Sequence, residues 1–205
     1  MMLHTTSVSF VMASSMFLLL ALYFNSVVAE TEEAPYTVLK EHQGWEEREF
    51  PATKWISTDV ISKQVHNSPE QIQAFYRLFD YIDGQNSEEM KIPMTAPVSF
   101  RILPGEGTDF NFTMSFYIPS NLQETPPMPL DPTLYIEERP AIKVAAKRFG
   151  GIFITDLQYA TEAAELYELA LAEGLGIADI PLWTAGYDGP NVIINRRNEV
   201  WLEIN

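Results

Sequence analysis

The chain has 205 residues, 28 acidic against 13 basic, and a net charge of −15. That balance excludes nucleic acid as a partner, since phosphate binding needs a basic face, and it disfavours anionic membranes. No Cys is present, which excludes thiol catalysis, thiolate metal sites and covalent cofactor attachment through Cys.

Residues 1–29 carry no Lys, Arg, Asp or Glu, and Met16 to Phe24 form an apolar centre ahead of Val27-Val28-Ala29. The pattern predicts a secretory signal peptide cut after Ala29, and so a secreted, extracellular protein without a stable membrane span. An uncleaved signal anchor is the alternative. Residues 30–35 read as a loose acidic tail, and 36–205 as one domain.

Tyr36 to Leu39 and Trp45 to Thr58 read as strands around the turn His42-Gln43-Gly44. Ser68 is a good helix N-cap, Pro69 suits the first helical position, and Gln71 sits at the capping-box position. Ile72, Phe75, Phe79 and Ile82 then fall on one helical face, and Gly84 supplies a left-handed stop. Ile92 to Leu103 reads as a strand, with Pro93 and Pro97 marking an edge or a bulge. Phe110 to Ile118 alternates Phe110, Phe112, Met114 and Phe116 with polar residues, which predicts one core face and one solvent face. A Pro-rich connector spans Asn121 to Pro132.

Tyr135 to Phe149 supplies further strand material. Thr155 or Asp156 caps a helix through Ala163, Leu166, Tyr167 and Ala170 to a stop near Gly174. Val192 to Ile194 and Val200 to Ile204 read as closing strands around the turn Asn195 to Asn198.

Two echoes run through this order. Glu46-Glu47-Arg48-Glu49-Phe50-Pro51-Ala52-Thr53-Lys54 returns, shortened, as Glu137-Glu138-Arg139-Pro140-Ala141-Ile142-Lys143, with Pro51 and Pro140 89 positions apart. Met94-Thr95-Ala96-Pro97 is echoed by Trp183-Thr184-Ala185-Gly186, and Thr95 and Thr184 are also 89 apart. The pattern predicts duplicated halves, about 36–120 and 133–205, in an antiparallel α+β fold, with a ligand cleft at their seam.

Five strings carry a family likeness. They are Lys91-Ile92-Pro93-Met94-Thr95-Ala96-Pro97-Val98, Pro51 to Thr58, Phe116-Tyr117-Ile118-Pro119-Ser120, Thr184 to Asp188, and Asn195 to Leu202. In order and spacing they resemble the SOUL haem-binding proteins over Tyr36 to Asn205. The resemblance implies two pseudo-twofold-related repeats forming a distorted antiparallel β-barrel flanked by two helices, similar to bacterial effector-binding domains. It implies reversible, non-covalent binding of haem or a related tetrapyrrole. It places the pocket along the first helix and the Thr184 to Pro190 segment, with Ile72, Phe75, Phe79, Met94 and Tyr187 as the contact residues.

This chain departs from the family pattern. Where some relatives are held to carry an axial His, it has Glu49, and at two positions where relatives place basic residues it has Ile72 and Asp80. His42 and His66 are the histidines outside the leader and are weak candidates for iron. His42 reads as a solvated turn residue and His66 as a linker residue. Met94 and Trp183 hold equivalent places in the second echo, and Met94 is a substitute ligand or a gap-filler. Phe75, Phe79 and Ile82 are either a cleft wall or plain core. Lys54, Lys91, Arg101, Arg196 and Arg197 are the candidate cations for propionates.

Asn111-Phe112-Thr113 is a glycosylation sequon whose Asn faces outward by strand alternation. No phosphate loop, metal-spaced His pair or nucleophile constellation appears, so the sequence predicts a binding protein and not an enzyme. The alternative reading is a module on the same fold for another apolar ligand or a protein partner.

Overall fold

Proline, which has no N–H to donate to a sheet ladder, sets several strand boundaries here. In the structure, a computed structural model, the described residues are 31–64, 68–151, 154–189, 192 and 194–205. The predicted leader and His66 lie outside them. Strands β1 (Thr37–His42) and β2 (Trp45–Phe50) form a hairpin. The predicted Trp45 to Thr58 strand is two strands, because Pro51-Ala52 breaks it before β3 (Thr53–Ser62). Helix α1 (Pro69–Ile82) follows, with Ser68 Oγ accepting from the Gln71 N–H at 3.2 Å. Strand β4 is Val98–Pro104, so Pro93 and Pro97 precede the ladder instead of interrupting it. Strand β5 is Phe110–Tyr117.

The second half holds β6 (Leu134–Arg139), β7 (Ile142–Phe149), α2 (Asp156–Ala172), β8 (Ile177–Gly186) and β9 (Asn198–Ile204). Thr155 caps α2 by accepting from Gln158 N–H. Gly84 and Gly174 both take the left-handed conformation past their helices, as predicted. The strand expected at Val192 to Ile194 is instead β8, fifteen residues earlier, and Val192 and Ile194 lie in the β8–β9 connection. Pro181 masked β8, because Pro within a run argues against a strand.

The nine strands form one antiparallel sheet in the order β1-β2-β7-β9-β8-β4-β5-β3-β6. Apart from β1, which has no counterpart, the order is symmetric about β4 and β8, which pair directly at Phe100↔Thr184. Hairpin partners are exchanged between halves: β2 pairs with β7, and β6 pairs with β3. Pro51 and Pro140 occupy matching turns, so the first echo is structural. The second is not, since Thr95 precedes β4 while Thr184 lies inside β8. Met94 and Trp183 are therefore not equivalent. The sheet is strongly curled but not closed, because the end strands β1 and β6 do not pair.

Curling explains a further difference. Of the β5 face expected to meet solvent, Thr113, Ser115 and Tyr117 are buried and Asn111 is exposed. The second face of the sheet is folded in on itself and carries its own polar and aromatic interior. On the outer face, α1 packs over Ile56, Phe112, Met114 and Phe116, and α2 packs over Ala145, Val200 and Leu202. The acidic stretch after residue 30 is tied down too. Ala34 is buried beside Trp55 and Tyr117, and its N–H donates to Ala96 O at 2.8 Å.

Candidate functional site

A helix that packs on a sheet buries only part of its apolar band. Helix α1 buries Gln71, Ala74, Leu78, Tyr81 and Ile82, and leaves Ile72 51% and Phe79 42% exposed. The stripe read from the sequence is thus rotated off the core, and its inner flank faces a groove. The groove has a volume of about 340 Å³, within the range of small-molecule sites of roughly 300–1,000 Å³. Gln71, Ile72 and Phe75 of α1 form one wall, and Ile154 and Tyr159 at the start of α2 form another. Val98 and Phe100 of β4, Met114 of β5 and Gly186 at the end of β8 form the floor. The groove therefore straddles the pseudo-twofold seam. Phe75 is fixed by edge-on contact with Phe116, ring centroids 5.3 Å apart.

The connection from β8 to β9 brings Tyr187, Asp188, Gly189 and Arg196 to the groove. Its base is stapled by Arg197, whose backbone N–H and guanidinium both bond the Asp188 carboxylate, and by Tyr187 N–H donating to Arg197 O at 3.1 Å. Burial would raise the Asp188 pKa, but the hydrogen bonds and charge of Arg197 outweigh it and hold it low. Arg196 is the one cation among the described lining residues, and its Nη1 donates to Gly189 O at 3.1 Å.

Behind Tyr187 lies a buried charge cluster. Its phenol donates to Glu199 Oε2 at 3.0 Å. Glu199 also accepts from both terminal nitrogens of Arg48, at 2.9 and 3.1 Å, and from the Trp201 indole at 2.7 Å. Arg48 stacks over the Tyr36 ring at 4.2 Å and bonds Glu46 at 2.7 Å. Burial alone would lower the Arg48 pKa, but the Glu199 and Glu46 carboxylates more than reverse it. Burial, reinforced by the Glu199 charge, pushes the Tyr187 phenol well up, so it is a protonated donor to Glu199. Burial likewise raises Tyr159 to about 12.

Of the predicted contact residues, Ile72, Phe75 and Tyr187 meet at the groove, while Phe79 and Met94 do not line it. Met94 is half-buried against the α1 core. His42 is elsewhere and is not a solvated turn residue. Its ring stacks on Trp45 at 3.8 Å and its Nε2 meets Glu47 at 2.8 Å. Glu49 lies in β2 and does not reach the groove. Lys54 bonds Glu124 O, Lys91 pairs with Asp83, and Arg101 and Arg197 are engaged with Glu137 and Asp188. Sequence reasoning read Met114 as core and did not single out Tyr159 or Phe100, all three of which line the groove.

These residues fit a flat apolar ligand with an acidic edge: aromatic and aliphatic walls, one rim cation, and no histidine among the described lining residues. Met114, almost fully buried in the floor, and Tyr159 and Tyr187 are the described groove side chains of types that also ligate haem iron.

Over residues 31–203 the sequence matches the family described as SOUL heme-binding protein. The chain belongs to the SOUL family. It is 35% identical over 172 residues to heme-binding protein 2 of Homo sapiens, covering 83% of this chain and 82% of that protein. Heme-binding protein 1 of Sus scrofa is 33% identical over 192 residues, covering 90% of this chain and 98% of that protein. These SOUL relatives are named for binding and not for catalysis. Among solved structures, an uncharacterized conserved protein from Listeria innocua shares the fold at TM-score 0.54 and 11% identity, covering 86% of this chain and 94% of that one. The C-terminal domain of EcmrR does so at TM-score 0.50 and 13% identity, covering 83% of this chain and 98% of that one. The SOUL domain thus brings the duplicated α+β fold expected from the sequence, with an open sheet in place of a barrel.

Proposed function

We propose that this SOUL protein binds haem or a related tetrapyrrole reversibly in the groove between α1 and α2, without catalysing its turnover. The observation that carries the reading is the flank of α1 formed by exposed Ile72 and half-buried Phe75, which faces Tyr159 across an apolar floor with Arg196 at the rim. Haem supplies a flat apolar ring, an iron and two propionates. Ile72, Phe75, Phe100 and Val98 would take the ring by apolar contact, and Arg196 would pair with a propionate. Tyr187 would hold the loop in place through Glu199, as a protonated donor.

The test is a haem titration followed by the Soret band. Ile72→Asp sets a carboxylate on the groove wall at a half-exposed position, so the fold survives while haem affinity falls at least about tenfold. Phe79→Ala, off the groove, leaves affinity unchanged. No Soret change in the parent protein at micromolar haem rejects the haem reading.

A second reading, an apolar ligand other than haem, is favoured by the lack of a histidine among the described lining residues. It predicts uptake of an apolar dye, blocked by Ile72→Asp, without a Soret response. We propose also that the protein is secreted after cleavage at Ala29 and carries a glycan on the exposed Asn111. Intact mass of protein from a eukaryotic secretory host, before and after glycosidase, decides both points.

A further inference from the structure

Alternate residues of a strand face opposite sides of its sheet. In β4, Phe100 lines the helix-side groove, and Arg101 lines a different cavity of about 140 Å³ on the inner face of the curl. Exposed Pro51 and Pro140, the matched turns of the duplicated halves, belong to its lining. Its walls are flat rings: Phe50, Trp55, Trp183 and Trp201.

Arg139, only 8% exposed, is held between two of those rings, 4.1 Å from the Trp55 centroid and 4.9 Å from that of Trp183. Its Nε donates to Glu137 at 2.9 Å and its Nη1 to Ser99 at 3.0 Å. Its Nη2 is buried and has no partner, and the same is true of Nε of Arg101, which lines the same cavity. Buried donors left unpaired are costly and rare, so two at one cavity point to an acceptor from outside the chain. The acids at the cavity are already engaged. Glu137 is shared by both arginines, and Glu203 accepts from the Trp183 indole. Burial lowers Arg139 to about 10, still well above neutrality, so the cavity keeps its cation.

We propose that this inner cavity binds a small planar aromatic carboxylate. The rings take its flat body, and the two guanidinium groups offer donors to its two oxygens. The volume is well below the roughly 300–1,000 Å³ of larger ligand sites and suits a single-ring molecule, not a tetrapyrrole. The inference does not rest on the groove reading, because the two cavities use opposite faces of the sheet.

The test is a titration of the intact protein with sodium benzoate, followed by the indole N–H resonances in nitrogen-15 NMR. Three of the four tryptophans line the cavity and Trp45 does not, so Trp45 is an internal control. Millimolar benzoate is expected to shift Trp55, Trp183 and Trp201 and to leave Trp45 in place. Benzamide, which has the ring without the charge, is expected to bind at least about tenfold more weakly. Arg139→Gln should weaken benzoate by a similar factor. Should that variant fail to fold by near-ultraviolet circular dichroism, Ile142→Phe, which narrows the cavity and keeps the guanidinium, is expected to do so. No shift, an equal shift at Trp45, benzamide binding as well as benzoate, or full affinity in a folded variant would each overturn the proposal. Ile72→Asp should leave the benzoate response intact, so loss of haem binding and loss of benzoate binding report on separate sites.

Discussion

Glu199 and Arg48 lie 151 positions apart and nothing in either neighbourhood hints that they meet. Both are almost fully buried. Removing one charge from such a pair strands the other in a poor dielectric, which typically costs about 3–5 kcal/mol. Glu46 still neutralises part of Arg48, so Glu199→Gln is expected at the lower end, about 3 kcal/mol by urea unfolding. Arg48→Met combined with Glu199→Leu should recover most of that loss. A single variant as stable as the parent protein would show that the pair contributes nothing. Glu137 allows a pH test. Burial alone would raise its pKa, but the charge of Arg139, hydrogen bonds from Ser57 and Arg139, and the charge of Arg101 outweigh it, and the net shift is downward from 4.5. A depressed carboxylate contributes stability that is present above its unfolded pKa and is lost as pH falls through the folded one. Urea midpoints are therefore expected to drop as pH falls below 4.5, and Glu137→Gln should flatten that drop. Equal slopes in the two proteins would remove Glu137 from the account.

Helix α1 shows what patterning reveals about an element and what it hides. Its start was legible because Ser68 accepts from the Gln71 N–H and Pro69 has no N–H to leave unpaired, both by local chemistry alone. Ser68→Ala is expected to cost about 1 kcal/mol of stability, and to weaken ligand binding slightly because the first turn carries Ile72. An unchanged thermal midpoint would mean that the cap hydrogen bond contributes nothing. The facing of the helix was not legible. Ile72, Phe75 and Phe79 share helical spacing with Ile82, yet the buried side is centred on Ala74, Leu78 and Tyr81. Two overlapping apolar stripes on one helix cannot be ranked until the partner sheet is in place. Strand β8 was missed for a related reason, because Pro181 reads as a breaker.

At the scale of the molecule, the halves are exchanged as much as they are repeated. Each lends its first hairpin strand to the other, β2 to β7 and β6 to β3. Fragments 31–125 and 126–205 would thus each lose the outer and central ladders. Neither is expected to show a cooperative urea transition alone, whereas mixing them should restore near-ultraviolet dichroism. Cooperative unfolding of either fragment would contradict a shared core.

The sequence by itself determined the duplication, the two helices and most strands, because caps, turns and apolar periodicity act over a few residues. It also pointed to the seam as the candidate binding region, through the likeness carried by Thr184 to Asp188. Tertiary structure alone decided that the sheet stays open, that β5 is buried on both faces from Phe112 to Tyr117, and that Tyr187 is fixed by Glu199. It alone joined Arg139 to Trp55 and Trp183 in an inner cavity. The physical reason is that curling brings together side chains whose spacing along the chain carries no period, so only the closed geometry selects which charges and rings meet.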